Sequence, residues 1–197
     1  MIKKLFLVIL LFPTLNLWSQ NPDIDILKNI NLNRDKHLDN TFRAFTNSAG
    51  PIAYGVPILL IGISLARKDS LTFQKSLYIG ASVVSSAIVS NILKYAVNRP
   101  RPFVTYPFLE KVTSGGSPSF PSGHTADAFS IATSLSIAYP KWYIIIPAYG
   151  WAGVVAYSRM DLGVHYPSDV LAGAIIGAGS AYLCYKGQQW LAKKRKK

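Results

Sequence analysis

The sequence is short of cysteine, of charge and of long apolar runs. Its single cysteine, Cys184, excludes an internal disulfide and any zinc site built from several thiolates. Charged residues make up 15% of the 197 residues, against roughly 25% in an ordinary soluble domain, whereas 50% are hydrophobic. A disordered chain has few apolar residues, so that class is excluded as well. We therefore expect one folded domain with too little polar surface for a water-soluble coat.

Acidic residues are also scarce, with 9 Asp and Glu against 21 Lys and Arg, which gives a formal net charge of +12. So basic a chain first suggests nucleic acid. However, five of the cations form the last five residues, 193–197, and two more are Lys3 and Lys4. A basic tail on the cytoplasmic side is explained by topology or by contact with anionic lipids. We therefore expect a membrane as partner and no nucleic acid.

Residues 1–19 have the pattern of an export signal. Two lysines precede an unbroken apolar run over 5–12, and Ser19 is a small residue suited to cleavage. The alternative is an uncleaved first membrane span, for which the apolar run is short. Either one directs the chain out of the cytoplasm, and residues 20–50 are then predicted to form a periplasmic amphipathic segment.

Five apolar blocks follow the polar segment. They cover 51–66, 76–93, 125–139, 142–157 and 170–185. Each falls a little short of the roughly 20 residues of an ideal span, but their small residues suit close helix packing in a bilayer, including the pair Gly173 and Gly177. We predict an all-α integral-membrane bundle of about five to six spans, embedded over 51–190 and ending in a basic tail over 191–197. A soluble helical bundle is the alternative.

The charges of the connecting segments predict the orientation. The connection 67–75, Lys141 and the C-terminal tail are basic, and all three lie on one side if the five blocks cross alternately. Positive loops face the cytoplasm. Segments 20–50, 94–124 and 158–169 then face the periplasm, which places the protein in the bacterial inner membrane.

The first two unusual groups of residues lie in segment 94–124. Lys94, Arg99 and Arg101 bring three cations close together, and prolines stop the helix there. A Pro-Ser-Gly-His sequence at 121–124 opens the next block, where a glycine and a helix N-terminus suit an anion. Taken singly, each group has an ordinary explanation, as interfacial anchors or as a turn.

A third group lies in segment 158–169, where Ser158 and Arg159 precede His165 and Asp169. The histidine and the aspartate are four residues apart, within reach of a carboxylate–imidazole hydrogen bond. Charges at the embedded end of a helix are costly, so three such groups on one face call for a functional explanation.

These residue types suit phosphoryl transfer. Arginine grips phosphoryl oxygens with two N–H groups and lysine supplies a point charge. His165 backed by Asp169 suits a nucleophile held in one tautomer, and His124 remains for proton transfer to the leaving group. No cluster resembles a metal site, so we expect no metal, and the cations must do the work of Mg²⁺.

The three groups resemble the motifs of the type 2 phosphatidic acid phosphatase superfamily, which also includes class A acid phosphatases and vanadium haloperoxidases. Its first motif is Lys, six residues, then Arg-Pro, matched by Lys94 and Arg101-Pro102. The second is Pro-Ser-Gly-His, matched at 121–124, and the third is Ser-Arg, five residues, His, three residues, Asp, matched over 158–169. No defining position departs from the pattern, and the resemblance covers about 90–185.

The resemblance implies a helical bundle and a two-step mechanism through a phosphohistidine, without metal or cofactor. By this resemblance His165 attacks phosphorus, Asp169 orients its imidazole, and His124 protonates the leaving oxygen and then activates water. The implied phosphate-binding residues are Lys94, Arg101, Ser122, Gly123 and Arg159. Arg99 lies outside the motif and is left open between a charge just outside the phosphate site and an interfacial anchor. The loop 103–120 is the expected substrate cover.

The leading functional hypothesis is a lipid phosphatase acting at the periplasmic leaflet. Candidate substrates are undecaprenyl diphosphate, the phosphates of lipid A, and phosphatidylglycerophosphate or phosphatidate. The alternatives are a soluble periplasmic acid phosphatase of broad specificity, haloperoxidase chemistry on bound vanadate, and a non-catalytic membrane protein whose charges only anchor helix ends.

Overall fold

The computed structural model describes residues 21–194, and in that range it contains seven α-helices, one 3₁₀ turn and no strand. The helices are α1 (Pro22–Leu32), α2 (Asp39–Arg67), α3 (Ser70–Val97), α4 (Pro102–Thr105), α5 (Gly123–Ala138), α6 (Trp142–Asp161) and α7 (Pro167–Lys194). The predicted export signal over 1–19 and the last three residues of the predicted basic tail lie outside the described residues.

Three stretches within this range are long and apolar enough to cross a membrane, Lys36–Arg67, Ser70–Thr105 and Pro167–Lys194. They contain α2, α3 and α7. The other two long helices have 16 residues in α5 and 20 residues in α6. At about 1.5 Å per residue, α5 is shorter than the roughly 30 Å hydrocarbon core. Together the five helices form the all-α membrane bundle that the sequence predicts.

The surface of α3 shows why the bundle suits lipid better than water. Ile88 and Ile92 on its outer face are 54% and 63% exposed, whereas Ser82, Ser86 and Ser90 are buried against neighbouring helices. A helix on the surface of a soluble protein has the opposite arrangement, apolar inside and polar outside. Small inward residues also let helices approach closely in a bilayer. The soluble alternative is therefore not favoured.

The glycine pair on α7 lies in close contact with the backbone of α5. A Cβ atom on Gly173 would lie 2.5 Å from the carbonyl oxygen of Ser122, and one on Gly177 would collide with the carbonyl oxygen of Ala126. Only glycine leaves room for the α5 backbone at these two positions. The predicted role of the pair in helix packing is confirmed.

The chain direction brings all three motifs to one end of the bundle. Helices α3 and α6 finish there, at Val97 and Asp161, and α5 and α7 begin there, at Gly123 and Pro167. Asn98 ends α3 in the left-handed conformation, with φ at 48°, and two prolines prevent the helix from continuing. We call this end of the bundle the motif end. It follows from helix alternation that residues far apart in sequence meet there.

Candidate active site

A cavity of about 310 Å³ opens at the motif end, between α2, α3, α5 and the loop that precedes α7. Residues from all three motifs line it. They are Lys94, Arg101, Gly123, His124, Arg159 and His165. The other two predicted residues stand behind this lining, since the Ser122 N–H donates to the carbonyl oxygen of Asp169 at 3.0 Å and the Asp169 carboxylate faces His165. The structure thus brings every predicted site residue into one cluster.

Backbone carbonyl groups hold the two cations of the first motif in place. Lys94 Nζ donates to the carbonyl oxygens of Pro118 and Pro121, each at 2.9 Å. Arg101 Nε donates to the carbonyl oxygen of Ser117 at 2.8 Å. These neutral acceptors fix the side chains without cancelling their charge, so both cations remain electrostatically available to the cavity.

The third cation, Arg159, is even more deeply buried. It is 2% exposed, and its Nη1 donates to Thr46 Oγ1 at 2.5 Å, while its Nε has no partner among residues 21–194. Lys94 and Arg101 are each 8% exposed. None of the three forms an ion pair with a carboxylate in the described part of the chain. Burying a charge without a counter-charge costs several kcal/mol, so the cavity suits an anion with several oxygens, such as a phosphate.

The hydrogen bonds of His165 fix its tautomer. Its Nε2 lies 3.1 Å from Arg101 Nη1, and because a guanidinium only donates, Nε2 must be the acceptor. The proton then sits on Nδ1, which faces Asp169 Oδ2 at 3.4 Å. Burial and the neighbouring guanidinium groups lower the pKa of His165 to about 3, so the imidazole is neutral near pH 7. An unprotonated Nε2 at the cavity wall is the form that a nucleophile needs.

The Asp169 carboxylate is itself fully buried and closely held. Ser119 Oγ donates to Oδ2 at 2.5 Å, and the Tyr166 N–H donates to the same oxygen at 3.0 Å. No pattern in the sequence pointed to Ser119, which lies in an irregular loop before the second motif. These bonds hold the carboxylate in the orientation that receives His165 Nδ1.

Arg99 donates a hydrogen bond to the other carboxylate oxygen of Asp169. Its Nη1 donates to Asp169 Oδ1 at 2.8 Å, and its Nη2 donates to Asp23 Oδ2 at 2.7 Å. The guanidinium carbon lies 3.7 Å from the centre of the Tyr166 ring, over its face. Of the two roles left open for Arg99, the structure therefore favours the charge beside the site. Asp23, in the first turn of α1, also accepts from the Ser168 N–H at 2.8 Å, and nothing in the sequence pointed to it.

The loop 103–120 lies over the cavity as its sequence suggested. Residues 114–117 line the cavity, and Glu110 ties the loop to the N-terminal segment through Arg34 at 2.6 Å and Lys36 at 2.9 Å. The hydrogen bond from Lys36, followed by the one from Arg34, lowers the pKa of Glu110. Glu110 therefore stays ionised across the physiological range. One end of the loop is therefore anchored while its Gly/Ser part faces the cavity.

The inner part of the cavity is lined by residues that the sequence did not predict. They are Tyr54 on α2, Ala87, Ser90 and Asn91 on α3, and Asp127 on α5. Helical spacing could have found most of them, because Ser90 lies four residues before Lys94 and Asp127 lies three residues after His124. Tyr54 carried no such signal. Across residues 21–194, no group of three or more His, Cys, Asp or Glu side chains is placed to hold a metal ion.

Comparison with known proteins agrees with this geometry. A sequence profile described as the PAP2 superfamily matches residues 75–193, more than half of the chain. An undecaprenyl-diphosphatase of Sulfolobus acidocaldarius is 30% identical over 189 residues, which cover 91% of this chain and 85% of that protein. A lipid A 1-phosphatase of Rhizobium johnstonii is 31% identical over 159 residues, 73% of this chain and 64% of that protein.

A solved structure is similar over most of the fold. The crystal structure of LpxE from Aquifex aeolicus matches with a TM-score of 0.75 at 29% identity, and the match covers 85% of this chain and 97% of that chain. The similarity therefore extends through the whole bundle and is not confined to the three motifs.

Proposed function

The chain belongs to the PAP2 superfamily and is a phosphoric ester hydrolase, and on this premise we propose that it is a metal-independent lipid phosphatase working through a phosphohistidine. One observation carries the proposal: three buried cations without carboxylate partners face the same cavity as the unprotonated Nε2 of His165. The relatives named above, an undecaprenyl-diphosphatase and a lipid A 1-phosphatase, support a lipid phosphate or diphosphate as substrate.

In the first step, His165 Nε2 attacks phosphorus and the bond from phosphorus to the leaving oxygen breaks. Arg101, next to Nε2, together with Lys94 and Arg159, neutralises the charge that spreads over the three equatorial oxygens. The bound phosphate dianion neutralises the cations around His124 and lets this imidazole carry a proton, which it gives to the leaving oxygen. The imidazolium that forms at His165 keeps its Nδ1 proton directed at Asp169, which stabilises the positive charge.

In the second step, water replaces the departed alcohol or phosphate. His124, now neutral, takes a proton from that water, whose oxygen attacks phosphorus as the bond to Nε2 breaks. Inorganic phosphate leaves and His165 returns to its neutral state. The Gly123 N–H, in the first turn of α5, is available to the phosphate in both steps, whereas the Ser122 N–H is held by the carbonyl oxygen of Asp169.

The orientation of the site follows from charges at the opposite end of the bundle. Arg67, Lys68 and Lys75 lie where α2 meets α3, and Lys141 lies where α5 meets α6. Basic connections face the cytoplasm, so the motif end faces the periplasm in the bacterial inner membrane. The export signal over 1–19, the embedded domain over 51–190 and the cytoplasmic tail over 191–197 are part of the same proposal.

Phosphate release from purified protein tests the proposal. The detergent-solubilised enzyme is incubated with lipid A, undecaprenyl diphosphate, phosphatidylglycerophosphate and phosphatidate, and released phosphate is measured. We expect release from at least one lipid, loss of release in His165→Ala, and trapping of an acid-labile phosphoryl group on protein in His124→Ala. His37→Ala, an exposed histidine outside the cavity, is the matched control. Release from none of the four, or full activity in His165→Ala, contradicts the proposal.

A further inference from the structure

The cavity continues past the phosphate-binding cations into a second, deeper part. We call Tyr54, Ser90, Asn91 and Asp127 the inner subsite, and all four line the cavity. Ser90 and Asp127 lie about one helical turn deeper in the bundle than Lys94 and His124 respectively, because α3 ends and α5 begins at the motif end. The inner subsite is therefore next to the phosphate position on its membrane side.

Two groups of the inner subsite lack partners. Ser90 is 3% exposed, and its hydroxyl has no hydrogen-bond partner among residues 21–194. The Asp127 carboxyl group is partly buried and makes no hydrogen bond or ion pair with any other side chain of that range. Buried polar groups in proteins are almost always paired, and an ionisable residue inside a membrane bundle usually marks a functional site. Both groups face a cavity, so a bound molecule can supply what the protein does not.

The position of Asp127 shows which part of a substrate it meets. In the proposed reaction His124 protonates the leaving oxygen, so the leaving group lies beyond His124 as seen from phosphorus. Asp127 is three residues further along α5 and shares that face of the helix. The inner subsite therefore contacts the leaving group and not the transferred phosphate.

The chemistry of these groups discriminates between leaving groups. A carboxylate accepts hydrogen bonds from hydroxyl and amide N–H groups, and the Ser90 and Tyr54 hydroxyl groups add further donors and acceptors. The leaving group of a prenyl diphosphate begins with a second phosphate, which the Asp127 carboxyl group repels in its ionised form. A sugar or glycerol phosphate instead offers hydroxyl or amide donors beside its phosphate.

Resting on the function proposed above, we propose that the inner subsite selects lipid monophosphates whose leaving group carries hydroxyl or amide donors next to the phosphate. The class comprises acylated amino-sugar phosphates and phosphatidylglycerophosphate. Prenyl diphosphates fall outside this class because a second phosphate adjoins the one that is removed. Phosphatidate falls outside it because its diacylglycerol leaving group has no hydrogen-bond donor beside the phosphate. Asp127 acts on the choice of substrate and takes no part in the chemical steps.

The test compares kcat/KM of wild type, Asp127→Asn, Asp127→Ala and Ser90→Ala. The substrates are a diacylglucosamine 1-phosphate, phosphatidylglycerophosphate, phosphatidate and farnesyl diphosphate. We expect wild type to prefer the first two over farnesyl diphosphate by at least about tenfold. Asp127→Ala should lose about 10- to 100-fold on those two and less than about threefold on phosphatidate, because only they use the carboxylate. Asp127→Asn should narrow the gap to farnesyl diphosphate by about tenfold, since the repelling charge is gone.

Two controls keep the result decisive. Asp25→Asn removes an exposed carboxylate of α1 outside the cavity and should leave kcat/KM unchanged on all four substrates. Activity on phosphatidate shows whether a variant is correctly folded. If Asp127→Ala fails to fold, Asp127→Asn, which keeps the shape of the side chain, takes its place. Equal losses on all substrates, or a wild-type preference for farnesyl diphosphate, overturn the inference while the phosphatase function stands. Release of phosphate from no lipid overturns the proposed function itself.

Discussion

Replacing Arg99 with alanine removes the one donor that the described residues supply to Oδ1 of Asp169. The other oxygen keeps Ser119, the Tyr166 N–H and His165 Nδ1. The carboxylate, which is fully buried in the wild type, would therefore stay in place but lose one of its four hydrogen bonds, the only one to Oδ1. A hydrogen bond to a charged group contributes about 1.5–3 kcal/mol. At about 1.4 kcal/mol per factor of ten, the expected loss is about 10- to 150-fold.

The loss should fall on kcat. Arg99 does not line the cavity, so substrate binding and KM should change by less than about threefold. In the proposed mechanism the imidazolium that forms at His165 needs a correctly oriented Asp169, and that need arises only on the way to the transition state. Asp23→Asn should give a smaller loss, about three- to tenfold, since it weakens the hold on Arg99 without removing it. Arg99→Lys should recover part of the activity, because it restores the charge but not the two-pronged geometry.

Steady-state kinetics on whichever lipid the enzyme hydrolyses best measures these values. Arg67→Ala is the matched control, as it removes an arginine at the opposite end of the bundle. A double-mutant cycle of Arg99→Ala with Asp23→Asn should show strong non-additivity, because both act through one contact. If Arg99→Ala behaves like Arg67→Ala, or if its whole effect is on KM, the argument that Arg99 positions Asp169 is refuted.

Three further predictions use matched pairs or a pH change. Gly115→Ala places a methyl group 2.9 Å from Arg101 Nη1 and should weaken phosphate binding about tenfold in KM, whereas Gly116→Ala meets nothing within 4 Å and should not. Gly177→Leu should lower the unfolding temperature in detergent by several degrees through separation of α5 from α7, while Gly179→Leu, in open space, should not. His165 binds a proton in the unfolded chain below about pH 6.5 but in the folded chain only near 3. The stability it contributes is therefore present above about pH 6.5 and is lost as pH falls toward 3, at up to about 1.4 kcal/mol per pH unit, and thermal unfolding of His165→Asn should be less sensitive to pH in that window.

The parts of the site that the sequence predicted are those where spacing alone decides position. Lys94 stands on the last turn of α3 and His124 on the first turn of α5, so alternation of helices places both at one end. The packing role of the glycine pair of α7 could be predicted for the same reason, since a four-residue spacing puts Gly173 and Gly177 on one face of the helix. Local rules of this kind transfer directly from sequence to structure.

The parts that were missed depend on contacts between distant segments. Arg99 and Asp23 are 76 residues apart, and Ser119 and Asp169 are 50 apart, with no periodic pattern to join them. Such pairs arise only when the loop 103–120 and α1 settle on the motif end. Tyr54 belongs to the same class, because its place in the cavity depends on how α2 packs against α3. The spacing of residues along the sequence does not predict how these two helices pack.

The distribution of carboxylates around the cavity is the strongest argument that Asp127 has a function of its own. Asp169 and Asp23 lie behind the reacting imidazole, and each is paired with Arg99. The cations that face the cavity have no carboxylate partner in residues 21–194, so they are available to an anion bound in the cavity. Asp127 breaks this division, because it is an unpaired acid in the cavity itself. A carboxylate there weakens the binding of any anion placed beside it. In its ionised form it is therefore best matched by a substrate group that is uncharged and has protons to donate.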